Sequence, residues 1–180
     1  MLRDKSLIPL SHQHQHALAL CVRIERASPI PAGDVAAWQK ETAHIFQSEI
    51  QTHFAAEEQV VFPAARKFEE LQALVAELTS EHGELRDKFA AAMAESMAPP
   101  DIAALGQLLS AHIRKEERQL FERLQQLLGG DGLASLGREL DQALTSDRDP
   151  RPVAENAATA GHPQQACLLP SDATRLRARK

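Results

Sequence analysis

Tyrosine is absent from this chain, tryptophan occurs once, and aromatic residues make up only 4% of it. The lack of tyrosine rules out tyrosyl-radical chemistry. Cysteine is nearly as scarce: Cys21 and Cys167 are too few to build a disulfide framework. No apolar run approaches the roughly 20 residues that a membrane-spanning helix needs. The opening Met1-Leu2-Arg3-Asp4-Lys5 lacks the apolar stretch of a secretory signal. Together these absences predict a cytoplasmic protein without a membrane partner. Strand-forming runs of Val, Ile and Thr are missing too, and a net charge of −5 gives no general case for nucleic-acid binding. Neither a Gly-x-Ser-x-Gly nucleophile turn nor a phosphate-binding glycine loop is present.

What remains is rich in Ala, Leu, Glu and Gln, with 43% hydrophobic residues, a composition that favours an all-helical fold. Four amphipathic segments are separated by turn signals. The first runs from about Ser11 to Ala27 and stops at Ser28-Pro29-Ile30-Pro31-Ala32-Gly33. Asp34 is placed to cap the second, which reaches about Phe62 before Pro63 interrupts it. The third extends from about Glu69 to Met97, ahead of Pro99-Pro100. Asp101 is placed to cap the fourth, which ends at Leu128 before Gly129-Gly130. Short connections make consecutive helices antiparallel neighbours. The expected architecture is therefore an all-α, up-down-up-down four-helix bundle over residues 8–128. A short helical extension follows at 129–145, and then a disordered tail at 146–180. That tail ends in Arg175, Arg177, Arg179 and Lys180, a charge cluster read as a solvated end.

Helical phase, at about 100° per residue, assigns a direction to each histidine. His14 falls in the middle of the apolar face made by Ala17, Leu18, Cys21 and Val22, whereas His12 and His16 fall opposite. On the second helix His53 lies among Phe46, Ile50 and Val60. Glu57 and Glu49 both fall on that buried side, Glu58 is more exposed, and His44 faces away. The third helix carries the stripe Leu71, Leu74, Val75, Leu78, His82, Leu85, Phe89, Met93. On the fourth, Leu105, Leu108 and Leu109 surround His112, with Glu116 inward and Glu117 pointing elsewhere.

A lone histidine on an apolar face is ordinarily a hydrogen-bonded core residue, and a lone His-x-x-x-Glu pair is ordinarily a surface contact. The constellation is a different matter. His53 with Glu57, and His112 with Glu116, repeat one spacing that puts imidazole and carboxylate one turn apart on one face. Each of the four helices places one inward histidine, and distances from the turns put these at compatible depth. Buried carboxylates are costly unless paired or bound to metal. Nitrogen and oxygen donors suit Fe, Mn or Zn, and the lack of inward thiolates argues against a structural zinc site. Six donors exceed what one tetrahedral ion needs, and two carboxylates able to bridge point to two ions. A ferritin-like site would need Glu-x-x-His on two helices; Glu41-Thr42-Ala43-His44 alone has that spacing, and His44 faces away.

Over about residues 8–128 the chain resembles the hemerythrin-like, or HHE cation-binding, family. The resemblance rests on Leu10-Ser11-His12-Gln13-His14-Gln15-His16-Ala17-Leu18, on His53 to Glu58 running into Val60-Val61-Phe62-Pro63, on Glu81-His82, and on His112 to Glu117. It implies a bundle enclosing a non-haem, oxo- or hydroxo-bridged pair of iron ions. The implied ligands are His14, His53, Glu57, His82, His112 and Glu116, with the two glutamates bridging. An open coordination position for O₂ or a related diatomic such as NO is implied as well. Oxygen-carrying hemerythrins place a second histidine four residues after the one on the third helix. Here that position is Arg86, which implies more exchangeable positions and argues against a stable, reversible oxygen complex. Binding or sensing of a small oxidant is the leading expectation. The alternatives are an enzyme acting on peroxide, ferrous iron or nitric oxide, and a metal-free interaction bundle.

Overall fold

The computed structural model describes residues 2–146, and no strand occurs among them. Of the expected disordered tail at 146–180, Ser146 closes the last helix, and residues 147–180 lie outside the described residues. Helix α1 spans Ile8–Ala27 and α2 spans 35–65. Helix α3 spans Glu69–Met93, α4 spans 99–128, and a C-terminal helix α5 covers 130–146. The first four form the up-down-up-down bundle: α1 packs along α4, α2 along α3, and α3 along α4.

Several boundaries differ from the sequence reading, each for a local reason. Helix α2 does not stop at Pro63. It passes through two wide i→i+5 turns, Phe46–Ile50 and Glu57–Val61, and Pro63 sits in the first α-helical turn after the second. A proline is tolerated there because first-turn N–H groups need no helical acceptor. Asp34 precedes α2 without capping it through its side chain. Asp101 lies inside the first turn of α4 and accepts the Ala98 N–H at 2.8 Å. Helix α3 ends at Met93, followed by Glu95 with φ 53°. Met93, expected in the core stripe, is 41% exposed there. Helix α4 ends as the glycine pair predicts: Gly129 adopts φ 63°, a left-handed conformation that Gly enters without the Cβ penalty.

Two apolar clusters make up the interior. One joins Leu10, Val61, Leu78 and Leu120 to Leu133, Leu136 and Leu140 of α5. The other gathers Leu20, Phe46, Leu85, Phe89 and Leu109 near the opposite end. The alternation of apolar and ionisable residues along each helix has one consequence for the site. His14 lies between Leu10 and Ala17, and His82 between Leu78 and Leu85. The polar residues therefore fill a single layer between the two clusters.

Candidate metal centre

All six expected donors meet in that layer, and all are buried: His14 and His53 at 3% exposure, Glu57, His82, His112 and Glu116 at 0%. Two sets of donor atoms each lie within 4.8 Å of one another: His14, His53, Glu57 and Glu116, and Glu57, His82, His112 and Glu116. The two glutamates thus belong to both sets. His53 Nε2 is 3.3 Å from Glu57 Oε1, and His82 Nε2 is 3.4 Å from Glu57 Oε2. Glu116 stands between the other two, with Oε2 at 3.2 Å from His14 Nε2 and Oε1 at 3.1 Å from His112 Nε2. Each glutamate opens a wide turn, Glu57–Val61 and Glu116–Phe121 respectively. Such π-helical turns are frequent at functional sites.

Every imidazole presents Nε2 inward because its Nδ1 is engaged outward. His14 Nδ1 donates to Glu117 Oε1 at 2.7 Å, and His53 Nδ1 to Gln13 Oε1 at 2.9 Å. His82 Nδ1 donates to Glu58 Oε1 and His112 Nδ1 to Glu81 Oε2, both at 2.8 Å. These acceptors carry no hydrogen on the contacting oxygen, so they fix the tautomer. The support runs in a ring. Gln13 on α1 holds the histidine of α2, Glu58 on α2 that of α3, Glu81 on α3 that of α4, and Glu117 on α4 that of α1. Three of the supports are themselves held by cations. Arg86 contacts Glu58 at 2.7 and 3.0 Å, Arg3 contacts Glu117 at 2.5 Å, and Lys115 contacts Glu81. Ser11 Oγ donates at 2.7 Å to Glu117 Oε1, the same oxygen that accepts from His14 Nδ1.

The sequence reading did not give these outer residues a role. Glu58 and Glu117 were expected to point away, and they do point away from the centre, yet each reaches the back of a neighbouring histidine. The available signal was adjacency, since Gln13, Glu58, Glu81 and Glu117 each stand next to an inward residue. Glu49 is a correction. It was expected on the buried side of α2, but it is only half-buried and accepts from His16 Nδ1 at 2.8 Å on the surface. The wide turn at Phe46–Ile50 changes the phase on which that expectation was based. His12 and His44 are exposed, as expected.

The interior is unsatisfied as hydrogen bonding alone. Both oxygens of Glu57, both of Glu116, and Nε2 of His82 and of His112 are buried with no hydrogen-bond partner. His14 Nε2 and His53 Nε2 lie 2.9 Å apart, and with both Nδ1 atoms protonated only a shared proton or a cation makes that approach favourable. Without metal, protons serve. Burial opposes a charge on His14, but Glu116 and Glu117 raise its pKa to about 9. Burial likewise opposes charge on His82, and Glu116 and Glu57 lift it to about 9. His112, against the same burial, is lifted to about 10 by Glu116 and Glu81. Burial would raise Glu116, yet His112, His14 and His82 hold it well below the usual carboxylate range. Protons and divalent cations compete for such donors.

Aromatic walls close the layer. Phe54 stacks on His82 at 3.9 Å between ring centroids, with Phe62 at 5.2 Å. A small cavity of about 10 Å³ adjoins His14 and His53, walled by Ile50, Phe54, Leu109 and Ile113.

A four-helix bundle with this buried His/Glu layer is a helical protein whose interior is compatible with metal ions. The Hemerythrin HHE cation binding domain family matches residues 9–124, and the chain belongs to that family. No curated protein and no solved structure matches it. Family membership and the donor layer together imply metal binding, usually of iron.

Proposed function

We infer that this chain is a non-haem di-iron protein that binds or senses O₂ or a related small oxidant. One observation carries the reading. Six buried donor atoms on Glu57, Glu116, His82 and His112 lack partners, within a layer where two four-residue sets share the same pair of carboxylates. Such a layer is expensive without charge compensation. His14 and His53 would hold one ion, His82 and His112 the other, and Glu57 and Glu116 would reach both. When bound, the iron pair would supply redox chemistry toward a small oxidant; Mn and Zn fit the same donors.

The residues of the chain supply the rest. Gln13, Glu58, Glu81 and Glu117 hold the Nδ1 protons and keep each Nε2 aimed inward. Leu78, Leu85, Leu109 and Leu120, all at most 1% exposed, keep water away from the layer. The adjoining cavity has room for a ligand of about the size of a water molecule and none for an organic substrate.

Metal analysis tests the first half of the reading; retained iron is expected in protein purified without added metal, and two iron atoms per chain at saturation. Anaerobic loading with ferrous iron followed by air tests the second, and a new near-ultraviolet absorption is expected. A chain that retains no metal would defeat the whole assignment. An iron-loaded chain indifferent to air would defeat the oxidant part alone.

A further inference from the structure

The two donor sets are alike in their inner residues. Each offers two imidazoles and the same two carboxylates. They differ one layer out. His82 and His112 each donate Nδ1–H to a carboxylate, Glu58 and Glu81 respectively. His14 also donates to a carboxylate, Glu117. His53 alone donates to a neutral amide, the Oε1 of Gln13. The cations follow the same division: Arg86, Lys115 and Arg3 hold the three carboxylates ionised and in place. A carboxylate behind an imidazole increases the electron density at the opposite nitrogen and so its strength as a ligand, and losing such a partner typically costs tenfold to a hundredfold in metal affinity.

We propose that the two halves of the centre are inequivalent. The His82/His112 half is the tight position and fills first, and Gln13 is the positioning residue that keeps the His14/His53 half about tenfold or more weaker. This rests on the ion-binding reading above and deepens it. A loosely held second ion gives the protein a stable one-ion form and a two-ion form, selected by the concentration of free metal. The amide at residue 13 sets the threshold between them.

The test uses Co²⁺ as the probe, followed by its visible absorption and by calorimetry on the full chain. Stepwise affinities alone are insufficient, because a second divalent ion is always repelled by the first. Two variants therefore isolate the halves. His53→Ala leaves the four donors of the His82/His112 half, and His112→Ala leaves those of the His14/His53 half. Single-ion affinity should be at least tenfold higher in His53→Ala. Gln13→Glu introduced into His112→Ala should then raise affinity about tenfold, a gain that structural damage cannot produce. Gln15→Glu, an equal charge at an exposed position two residues away, should change it little because solvent screens it. Glu81→Gln in the otherwise unaltered chain should weaken the first ion and leave the second nearly unchanged.

Equal affinities in the two single-half variants, a reversed order, or no gain from Gln13→Glu beyond that from Gln15→Glu would overturn the inequivalence and leave the metal assignment standing. No Co²⁺ binding by the unaltered chain would overturn both.

Discussion

Phe54→Ala is the substitution whose cost the structure specifies most closely. The side chain is 1% exposed. Its ring stacks face to face on His82 at 3.9 Å, meets His112 edge-on at 5.8 Å, and lies under the Arg86 guanidinium at 5.5 Å. It also walls the small cavity beside His14 and His53. Removing it deletes a full aromatic payload from a place where the four helices are already tied together by the polar layer beside it. Burial and cavity terms for a buried Phe→Ala change come to about 3–5 kcal/mol, against a total stability of about 5–15 kcal/mol for a domain. A chain near the middle of that range still folds at 25 °C after the loss. At roughly 2–4 °C per kcal/mol for a domain approaching this size, the melting temperature should fall by about 6–20 °C. Thermal unfolding followed by circular dichroism, on chelator-treated protein so that metal occupancy does not contribute, reads this directly. Met93→Ala, on a residue 41% exposed, is the control and should cost about 0.5 kcal/mol or less. A fall for Phe54→Ala no larger than that for Met93→Ala would show that the ring is not packed as described, and the account of the closed layer would go with it.

The same assay reads metal linkage: free ferrous iron at about 100 times its dissociation constant should add about 2.7 kcal/mol per ion, a rise of roughly 10–20 °C for two ions that a chelator reverses, and no shift would count against a bound pair. The histidine pKa values give a sign for pH. His14, His82 and His112 are raised to about 9, 9 and 10 in the metal-free pocket, so their contribution is full below about pH 6.5 and lost as pH climbs through 9–10. Metal-free protein should lose stability across that alkaline window in urea titrations, and metal uptake at pH 7 should release protons measurable in a weakly buffered solution. Arg86→Leu removes a partly exposed ion pair, 39% and 32% exposed on its two sides, so stability should change by less than about 1 kcal/mol. Metal affinity, measured by Co²⁺ titration, should nevertheless fall about tenfold because Glu58 loses its anchor, and an unchanged affinity would remove Arg86 from the support. Gly129→Ala, at φ 63° and ψ −177° with nothing within 4 Å of the added Cβ, should cost about 1–3 kcal/mol from backbone strain alone, whereas Gly130→Ala should not.

The bundle was legible because apolar spacing fixes which face is inward, and six inward donors stood out because ionisable residues on such a face are conspicuous. The three wide turns were not legible. They have no compositional mark, and a fixed phase per residue accumulates error across them, which is why Glu49 was placed inside while it pairs with His16 outside. Pro63 looked like a terminator because its tolerance depends on the wide turn before it. The outer supports were hidden for another reason. Periodicity says which way a residue faces on its own helix, and Glu58, Glu81 and Glu117 matter for what they touch on the next one.

The ring of supports also carries topological information. On α1 and α3, which run one way, the support precedes its inward histidine: Gln13 before His14, Glu81 before His82. On α2 and α4, which run the other way, it follows its inward glutamate: Glu58 after Glu57, Glu117 after Glu116. One residue back on an ascending right-handed helix and one residue forward on a descending one both turn about 100° in the same rotational sense. All four supports therefore lean the same way around the bundle. A wrong-handed threading of the same four helices would aim each support at the preceding helix instead of the following one, so that each histidine would be offered a different partner and Gln13 would face His112 in place of His53. Handedness thus decides which histidine receives the amide and which the carboxylates, a distinction on which the surrounding leucines, being non-directional, have no bearing.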